Sequence, residues 1–560
     1  MTDFSGDAAA LEIRTALERC NAGAAFGLPG GSNQVLFQAL RSARMRLIVP
    51  THELAAAFMA GTYGRIDGRP GILLTIPGPG FAYALAGIAE AWQDSAPLVY
   101  IVAAPPEAAH QRHRHQALAQ GAIVGPMVKA IFGVSSVARL QETICAAFEA
   151  AGVGEPGPVI VQLGTSLDSN PARCSASSQD SAAAAGRVWA RMHQARKPVM
   201  LLGQGCVRIA AVIRNYVERT GTPVFTTASG RGVLREDSPW CLCYDGLRES
   251  TDQLNEFIRE TDLVVAVGAR LAYNGTAGFG LKLPPERLVH VDASSSNLNA
   301  VYRASEVAAI SAEAFFALPE SGAVPRTAWT LDALTPWRTR IRAVRPGGPE
   351  PVIAGQTPQQ FFETLRGVLP DDALVVTDSG LHQVLARRYL EVRHTHGLLL
   401  PTDLQSMGFA LPSAIAAKLA APSRPVVALL GDGGALMSGL ELAIAVRERI
   451  ALTVIVFNDG YLNQIRMQQL QHSGRDYGVT LPILDFKALA DAVGARHIVG
   501  DPFSPAGLSE SMDSSGVTLI EVPVTDGFSV TAAAGKSRAK AAIKGALGAR
   551  WHTVRNWLRR

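Results

Sequence analysis

Charge is scarce in this 560-residue chain: Asp, Glu, Lys and Arg together make 18%, below the usual quarter, against 48% apolar residues. Dominant disorder needs the opposite balance and is excluded. Cysteine is scarce too. Cys20, Cys145, Cys174, Cys206, Cys241 and Cys243 are too few to staple a chain of this length, and Cys241-x-Cys243 has no companion at metal-ligand spacing. No run of 18 or more apolar residues occurs, so no bilayer span is expected. Met1 to Ala10 has no lysine or arginine but carries Asp3 and Asp7, the reverse of an export signal. A soluble protein of a reducing cytoplasm is expected. Acidic residues vanish after Asp526, where eight basic ones follow (Lys536, Arg538, Lys540, Lys544, Arg550, Arg555, Arg559 and Arg560). The net charge of +4 is therefore an average: the body before that tail carries −4, and no nucleic-acid partner is expected of it.

What the chain does have is a repeated pattern of short apolar run, Gly-rich turn and helical stretch. Runs such as Arg46–Val49, Ile72–Ile76, Leu98–Val102 and Val159–Leu163 read as strands buried on both faces, which predicts parallel sheets. A Ser-rich stretch from Thr165 to Ser181 reads as a linker. Strands at Pro198–Leu202, Leu263–Val267 and Leu288–Val291 predict a second unit. The stretch Ala323–Gln356, with five prolines and three glycines, reads as a second linker. A third unit carries strands at Ala373–Val376, Pro425–Leu430 and Leu452–Phe457. The expected fold class is α/β: three consecutive doubly wound parallel-sheet domains, at 1–165, 186–325 and 355–526, with a basic tail at 527–560.

Two strands of the third unit end in suggestive polar groups. One runs into Gly431-Asp432-Gly433-Gly434, the next into Asn458-Asp459-Gly460. Ligands bind beyond the carboxyl ends of strands in such sheets, so both clusters are expected to face one crevice. Aspartate, asparagine and a backbone carbonyl are hard oxygen donors, suited to Mg²⁺ that shares its shell with phosphate. Alone, Gly-Asp-Gly-Gly is an ordinary strand-to-helix turn. The pair, with Asn458 25 residues after Gly433, resembles the Mg²⁺–diphosphate signature of thiamine diphosphate enzymes. That resemblance implies Asp432, Asn458 and the Gly460 carbonyl as metal ligands, with Gly431, Gly433 and Gly434 against the diphosphate.

The first unit adds independent matches. Thr51-His52-Glu53-Leu54 opens an Ala-rich helix and resembles the activating glutamate of the acetolactate synthase-like family. There a carboxylate on the pyrimidine nitrogen promotes loss of the cofactor's C2 proton. An acidic residue favoured by the first turn of a helix is the plainer reading of Glu53. Phe26-Gly27-Leu28-Pro29-Gly30-Gly31 resembles the loop over the thiazolium, which puts Gly31 at the reacting end. Ile76–Gly80 and Ala91–Pro97 resemble the family's next strand, loop and helix, and Gln116 matches a glutamine near the thiazolium. In the third unit Gly380-Leu381-His382-Gln383 resembles the diphosphate-holding segment. Gln405–Pro412 resembles the segment in which Met407 bends the cofactor and the Gln405 carbonyl accepts from its amino group. The resemblance runs from about residue 10 to 525 and implies a homodimer or dimer of dimers, with each cofactor between two chains.

Within that family the resemblance favours acetolactate synthase-like decarboxylation and carboligation of a 2-oxo acid or related acyl donor with a carbonyl acceptor. Glu53 argues against the glyoxylate carboligase branch, which lacks it. Met467 stands where acetolactate synthases usually carry a pocket tryptophan, and Asn463 replaces an apolar residue, so a non-oxidative decarboxylase or carbon–carbon lyase is the alternative. A non-catalytic subunit or scaffold is the alternative of another class, against which Glu53, Asp432 and Asn458 all speak. His110, His113 and His115 crowd the loop before Gln116 among Arg112 and Arg114; His115 is the candidate acid/base, and a solvated basic loop is the rival view. FAD is permitted by the central domain's resemblance but not favoured, since Thr226–Asp245 offers no contacting set. In the tail, Ile543, Leu547, Trp551, Val554 and Leu558 form a helical stripe with basic flanks. A membrane-surface contact is one reading, and a helix folded over the protein is the favoured one.

Overall fold

The computed structural model describes residues 4, 6–41, 43, 45–104, 115–165, 179–244, 250–318, 325–344, 350–500, 503–512 and 515–525. The basic tail, His110, His113 and most of the first expected linker lie outside them. The expected three α/β units are present, each built on one sheet. The first holds β1 (Ala24–Gly27), β2 (Arg46–Ile48), β3 (Gly71–Thr75), β4 (Leu98–Ala103), β5 (Ile131–Val134) and β6 (Pro158–Leu163), ordered β2-β1-β3-β4-β6-β5. The second holds β7 (Pro198–Leu202), β8 (Val224–Thr226), β9 (Cys241–Tyr244), β10 (Leu263–Val267), β11 (Leu288–Val291) and β12 (Glu306–Ala308), ordered β12-β11-β10-β7-β8-β9. The third holds β13 (Val352–Ile353), β14 (Leu374–Thr377), β15 (Leu398–Leu399), β16 (Val426–Gly431), β17 (Leu452–Asn458), β18 (Arg496–Val499) and β19 (Val517–Thr525). Its order is β13-β19-β17-β16-β14-β15, with β18 also on β19. Every pairing is parallel except that of β13 with β19. Apolar runs buried along their whole length, such as β3, β7 and β10, are what two-sided helical cover demands.

The strand orders carry the functional information. In each unit the chain first builds outward on one side of a strand and then crosses to its other side. The order thus reverses between β1 and β3, between β7 and β10, and between β14 and β16. A parallel sheet opens a crevice at such a reversal, just beyond the strand ends. Three crevices follow from topology alone.

The stretch read as the second linker contains a helix, Leu331–Arg342, capped by the Thr330 side chain on the Ala333 amide. Its Leu334 and Ile341, with Trp329 before it, are buried in the central unit's core, so that unit reaches well past residue 325. Proline density misleads here because Pro336 sits inside the helix. Cys20 and Cys145 are free thiols with sulfurs 3.2 Å apart, between the helices Asp7–Arg19 and Leu140–Gly152. Among the described residues no helix is long and apolar enough to cross a membrane.

Candidate active site

The crevice between β1 and β3 collects most of the residues singled out in the first unit. Ile76–Gly80 leaves β3 as a turn packed so tightly that side chains are barred. A Cβ on Gly30 would lie 2.4 Å from Ile76, and one on Gly78 would lie 2.8 Å from both the Cα and the Cβ of Gln116. Gly78 has φ +69 and Gln116 φ 57, both in the left-handed region, so the two backbones are mutually fitted. A Cβ on Gly80 would stand 3.1 Å from the Glu53 carboxylate. Glu53 begins the helix Glu53–Asp67, whose cap is His52, its Nδ1 accepting from the Leu54 amide at 3.1 Å. The structure therefore gathers Gly30, Gln116 and Glu53 round one turn. Gly31 has open space about it and His115 is exposed.

The crevice between β14 and β16 gathers the other set. Register pairs Gly431 with Phe457, so the next residues, Asp432 and Asn458, leave the sheet side by side. The Asp432 carboxylate accepts from the Gly433 amide at 2.8 Å and the Gly460 amide at 2.6 Å. Burial raises the Asp432 pKa, while those amides oppose the shift. Asn458 donates its Nδ2 to the Glu521 carboxylate at 2.8 Å, an arrangement that leaves Oδ1, the atom a cation needs, facing away from that acceptor. Asp459 is pushed up to about 6 by burial and by the neighbouring Asp432 charge, a crowding of carboxylates that a divalent cation relieves. The Gly460 carbonyl accepts from the Leu481 amide at 2.9 Å and keeps a second lone pair. Among the described residues no group of three or more His, Cys, Asp or Glu forms a metal site. The set offered is instead carboxylate, amide and carbonyl, which fits a hard cation that shares its shell with phosphate.

Above that set His382 is buried against Gly431, whose Cβ would lie 3.3 Å from the ring. Burial drives its pKa down to about 4, so it is neutral, and its Nε2 has no partner among the described residues. An anionic phosphate beside the glycine cradle would favour a proton on Nε2 and satisfy that nitrogen as a donor. Gly380, at φ +149, opens the helix Leu381–Tyr389; Leu381 packs on the core, and buried Gln383 donates to the Pro401 carbonyl at 3.4 Å. The Met407 methyl would meet a Cβ on Gly433 at 3.3 Å, and one on Gly434 would strike Asp378 at 2.5 Å. The residues present thus fit a diphosphate with its cation.

Sequence reasoning missed the carboxylates that organise this region. Glu441 accepts from the Thr51 amide at 3.0 Å and from its hydroxyl, joining the approach to Glu53 to the third unit. Asp378, buried and pushed up to about 7, accepts from the Gly408 amide at 3.0 Å. Nothing in their local sequence marks them, because Glu441 meets Thr51 in another unit and Asp378 meets Gly408 30 residues further along the chain.

A third crevice lies between β7 and β10, where Gly203-Gln204-Gly205 makes a short glycine turn. It is a cavity of about 550 Å³ where Gly203 and Gly205 press on Gly268, lined also by Arg208, Arg270 and Asp292. Burial pushes Asp292 up to about 6. The cavity has the size and the glycine walls for a nucleotide-bearing group. Thr227 and Ser229, from the stretch judged unhelpful for FAD, reach its wall.

Comparison with known proteins agrees with this geometry. Residues 9–123 match the family model "Thiamine pyrophosphate enzyme, N-terminal TPP binding domain", 185–316 match the family's central domain, and 378–522 match its C-terminal TPP binding domain. The chain is 28% identical to the acetolactate synthase large subunit of Parasynechococcus marenigrum, over 94% of this chain and 88% of that protein. It is 26% identical to the acetolactate synthase isozyme 1 large subunit of Escherichia coli, over 89% and 90%. It is 30% identical to a probable 2-ketoarginine decarboxylase of Pseudomonas aeruginosa, again over 89% and 90%.

Proposed function

The chain belongs to the thiamine pyrophosphate enzyme family and is acetolactate synthase-like, and we propose that it decarboxylates a 2-oxo acid and joins the remaining acyl carbon to a second carbonyl. The observation that carries this reading is the pair of half-sites at equivalent strand reversals, one bearing Glu53 and Gln116, the other Asp432 and Asn458. When bound, thiamine diphosphate supplies the nucleophilic carbon and the sink for the electrons left by CO₂. Asp432, the Asn458 Oδ1 and the Gly460 carbonyl hold Mg²⁺; His382, Gln383 and the backbone from Gly431 to Gly434 hold the diphosphate. Met407 would pack against the bound cofactor, the Gln405 carbonyl would accept from its amino group, and Glu53 would donate to or accept from its pyrimidine nitrogen. Gln116 and Gly31 are assigned to the reacting end, where His115 is the candidate proton carrier. No step is assigned to the central cavity.

Among the described residues no hydrogen bond or ion pair joins Glu53 to the Asp432 cluster of its own chain. An exposed apolar strip flanks the two half-sites, with Tyr83 against His52 and Met437 and Leu440 exposed at 58% and 63%. Both facts support an assembly in which the first unit of one copy closes on the third unit of another. A second reading, simple decarboxylation to an aldehyde, is favoured by Met467 at the pocket position and by the likeness to the probable 2-ketoarginine decarboxylase.

A screen of 2-oxo acids with thiamine diphosphate and Mg²⁺, following CO₂ and identifying products by mass spectrometry, separates the two: a carbon-joined product supports the first, an aldehyde the second. Glu53→Gln is expected to keep cofactor binding and to lose ~10²-fold or more of turnover. Unaltered turnover refutes the role of Glu53.

A further inference from the structure

We propose that Glu90 is a positioning residue for the cofactor: through the Ser406 amide it holds the Gln405–Met407 turn in the shape that meets thiamine diphosphate. The inference rests on the function proposed above. Gln405 has φ 63, a left-handed backbone that a side-chain-bearing residue keeps only when its surroundings over-determine it. Those surroundings are identifiable. The Gln405 side chain donates to the Pro401 and Thr402 carbonyls at 2.8 and 2.6 Å. The Thr402 amide donates to Asp94 at 3.3 Å, and the Gly408 amide to Asp378 at 3.0 Å. Among the described residues only Glu90 grips the residue between Gln405 and Met407, accepting from the Ser406 amide on Oε2 at 3.1 Å.

Glu90 sits where a carboxyl is costly. It is 2% exposed, and Oε1 has no partner among the described residues. Burial and the charge of Asp94 push its pKa up to about 7, against the pull of the Ser406 side chain and amide and of Arg65. A helix that needed only packing at this place is served better by an apolar side chain. The helix itself, Pro79–Gln93, has Gly80 against the Glu53 carboxylate at one end and Glu90 at the other, ten residues or about 15 Å along. One helix therefore runs from the Glu53 carboxylate to the 405–407 turn of the same chain, groups that face two different cofactor sites in the proposed assembly.

The test compares Glu90→Gln, which keeps an acceptor for the Ser406 amide, with Glu90→Leu, which fills the space without one. Amide hydrogen exchange over residues 401–409 is read without cofactor, and thiamine diphosphate affinity is read by quenching of intrinsic fluorescence at fixed Mg²⁺. Glu90→Gln is expected to match wild type in protection and to bind within about threefold. Glu90→Leu is expected to exchange faster in this segment alone and to bind ~5- to 100-fold more weakly, the loss of one buried hydrogen bond. If the leucine variant fails to fold, Glu90→Ala carries the same expectation. Equal protection in the two variants overturns the inference, as does faster exchange with unchanged affinity. Wild-type protein that binds no thiamine diphosphate overturns the proposed function itself, whatever the exchange shows.

Discussion

The first and third units share an apolar core between them besides one of their own, whereas the central unit, built on the same reversing sheet, keeps its core to itself apart from Ala228, which joins the third unit's. Phe58, Ala60 and Tyr63 of the first unit and Phe409, Leu411 and Ile415 of the third lie in a single buried cluster, while the central cluster runs from Ala184 to Ile341 and contains neither. The central unit is instead tied in by polar contacts. Gln204 donates to the Asp94 carbonyl at 2.7 Å, Asn274 to that of Thr402 at 2.9 Å, and the buried Arg231–Glu236 pair bonds the backbone at Leu390 and Val392. In the proposed assembly each of these units carries half of a site that another copy completes, so their relative placement must be fixed, which apolar interlock gives over a broad area. A unit with a separate ligand cavity needs only orientation, which a seam of hydrogen bonds supplies.

The largest effect that breaks this contrast is expected at the shared core. Phe409 is 3% exposed and meets Phe58 edge-on at 5.4 Å between ring centroids. Phe409→Ala is expected to cost ~3–5 kcal/mol, because the cavity lies where two rigid units interlock and neither can close it. Chemical denaturation followed by hydrogen exchange should show the first and third units destabilised together, with the central unit's protection kept. Loss confined to the third unit argues against a common core.

The same contrast explains what the sequence made legible. The strands β7, β10 and β11 begin and end at the residues their apolar runs predict, because burial on both faces leaves little choice of residue. The strand β19 was not picked out: Glu521 and Pro523 interrupt Val517–Thr525, yet Pro523 faces Asn458 across a parallel pair, where its carbonyl still accepts from Ala354. The Asp432–Asn458 pairing was readable since it depends on two adjacent strands in register. Glu90, Asp378 and Glu441 were not, since each meets its partner across 30 to 390 residues of chain. The crevice at Gly203 and Gly268 was missed for a related reason. Each glycine alone is an ordinary turn, and only the strand order sets them face to face.

The polar seam should yield a smaller effect. Asn274→Ala removes donors to the Thr402 carbonyl and to Asp403, part-buried contacts worth about 1 kcal/mol. The expected result is loss of protection where the central unit meets Thr402, with the midpoint of the outer pair unmoved. A drop as large as that of Phe409→Ala denies the difference between core and seam.

The smallest effect lies inside the central crevice and concerns pH. Asp292 is 5% exposed and accepts from the Ser294 amide and from Asn297, both at 2.9 Å. Burial raises its pKa from 3.8 to about 6, reinforced by the charge of Glu155 and opposed by Ser294, Asn297 and Arg270. A folded-state pKa above the unfolded one means that folding favours the protonated acid. The stabilisation is therefore fully present below 3.8 and is lost as pH rises through about 6. Asp292→Asn keeps the acceptor oxygen and removes the charge. It should flatten the fall in stability across this window by ~1–3 kcal/mol. Denaturation midpoints of the central unit from pH 4 to 7, for wild type and variant, measure the difference. Parallel profiles place the Asp292 carboxylate in contact with water or a cation and refute its burial in the cavity wall.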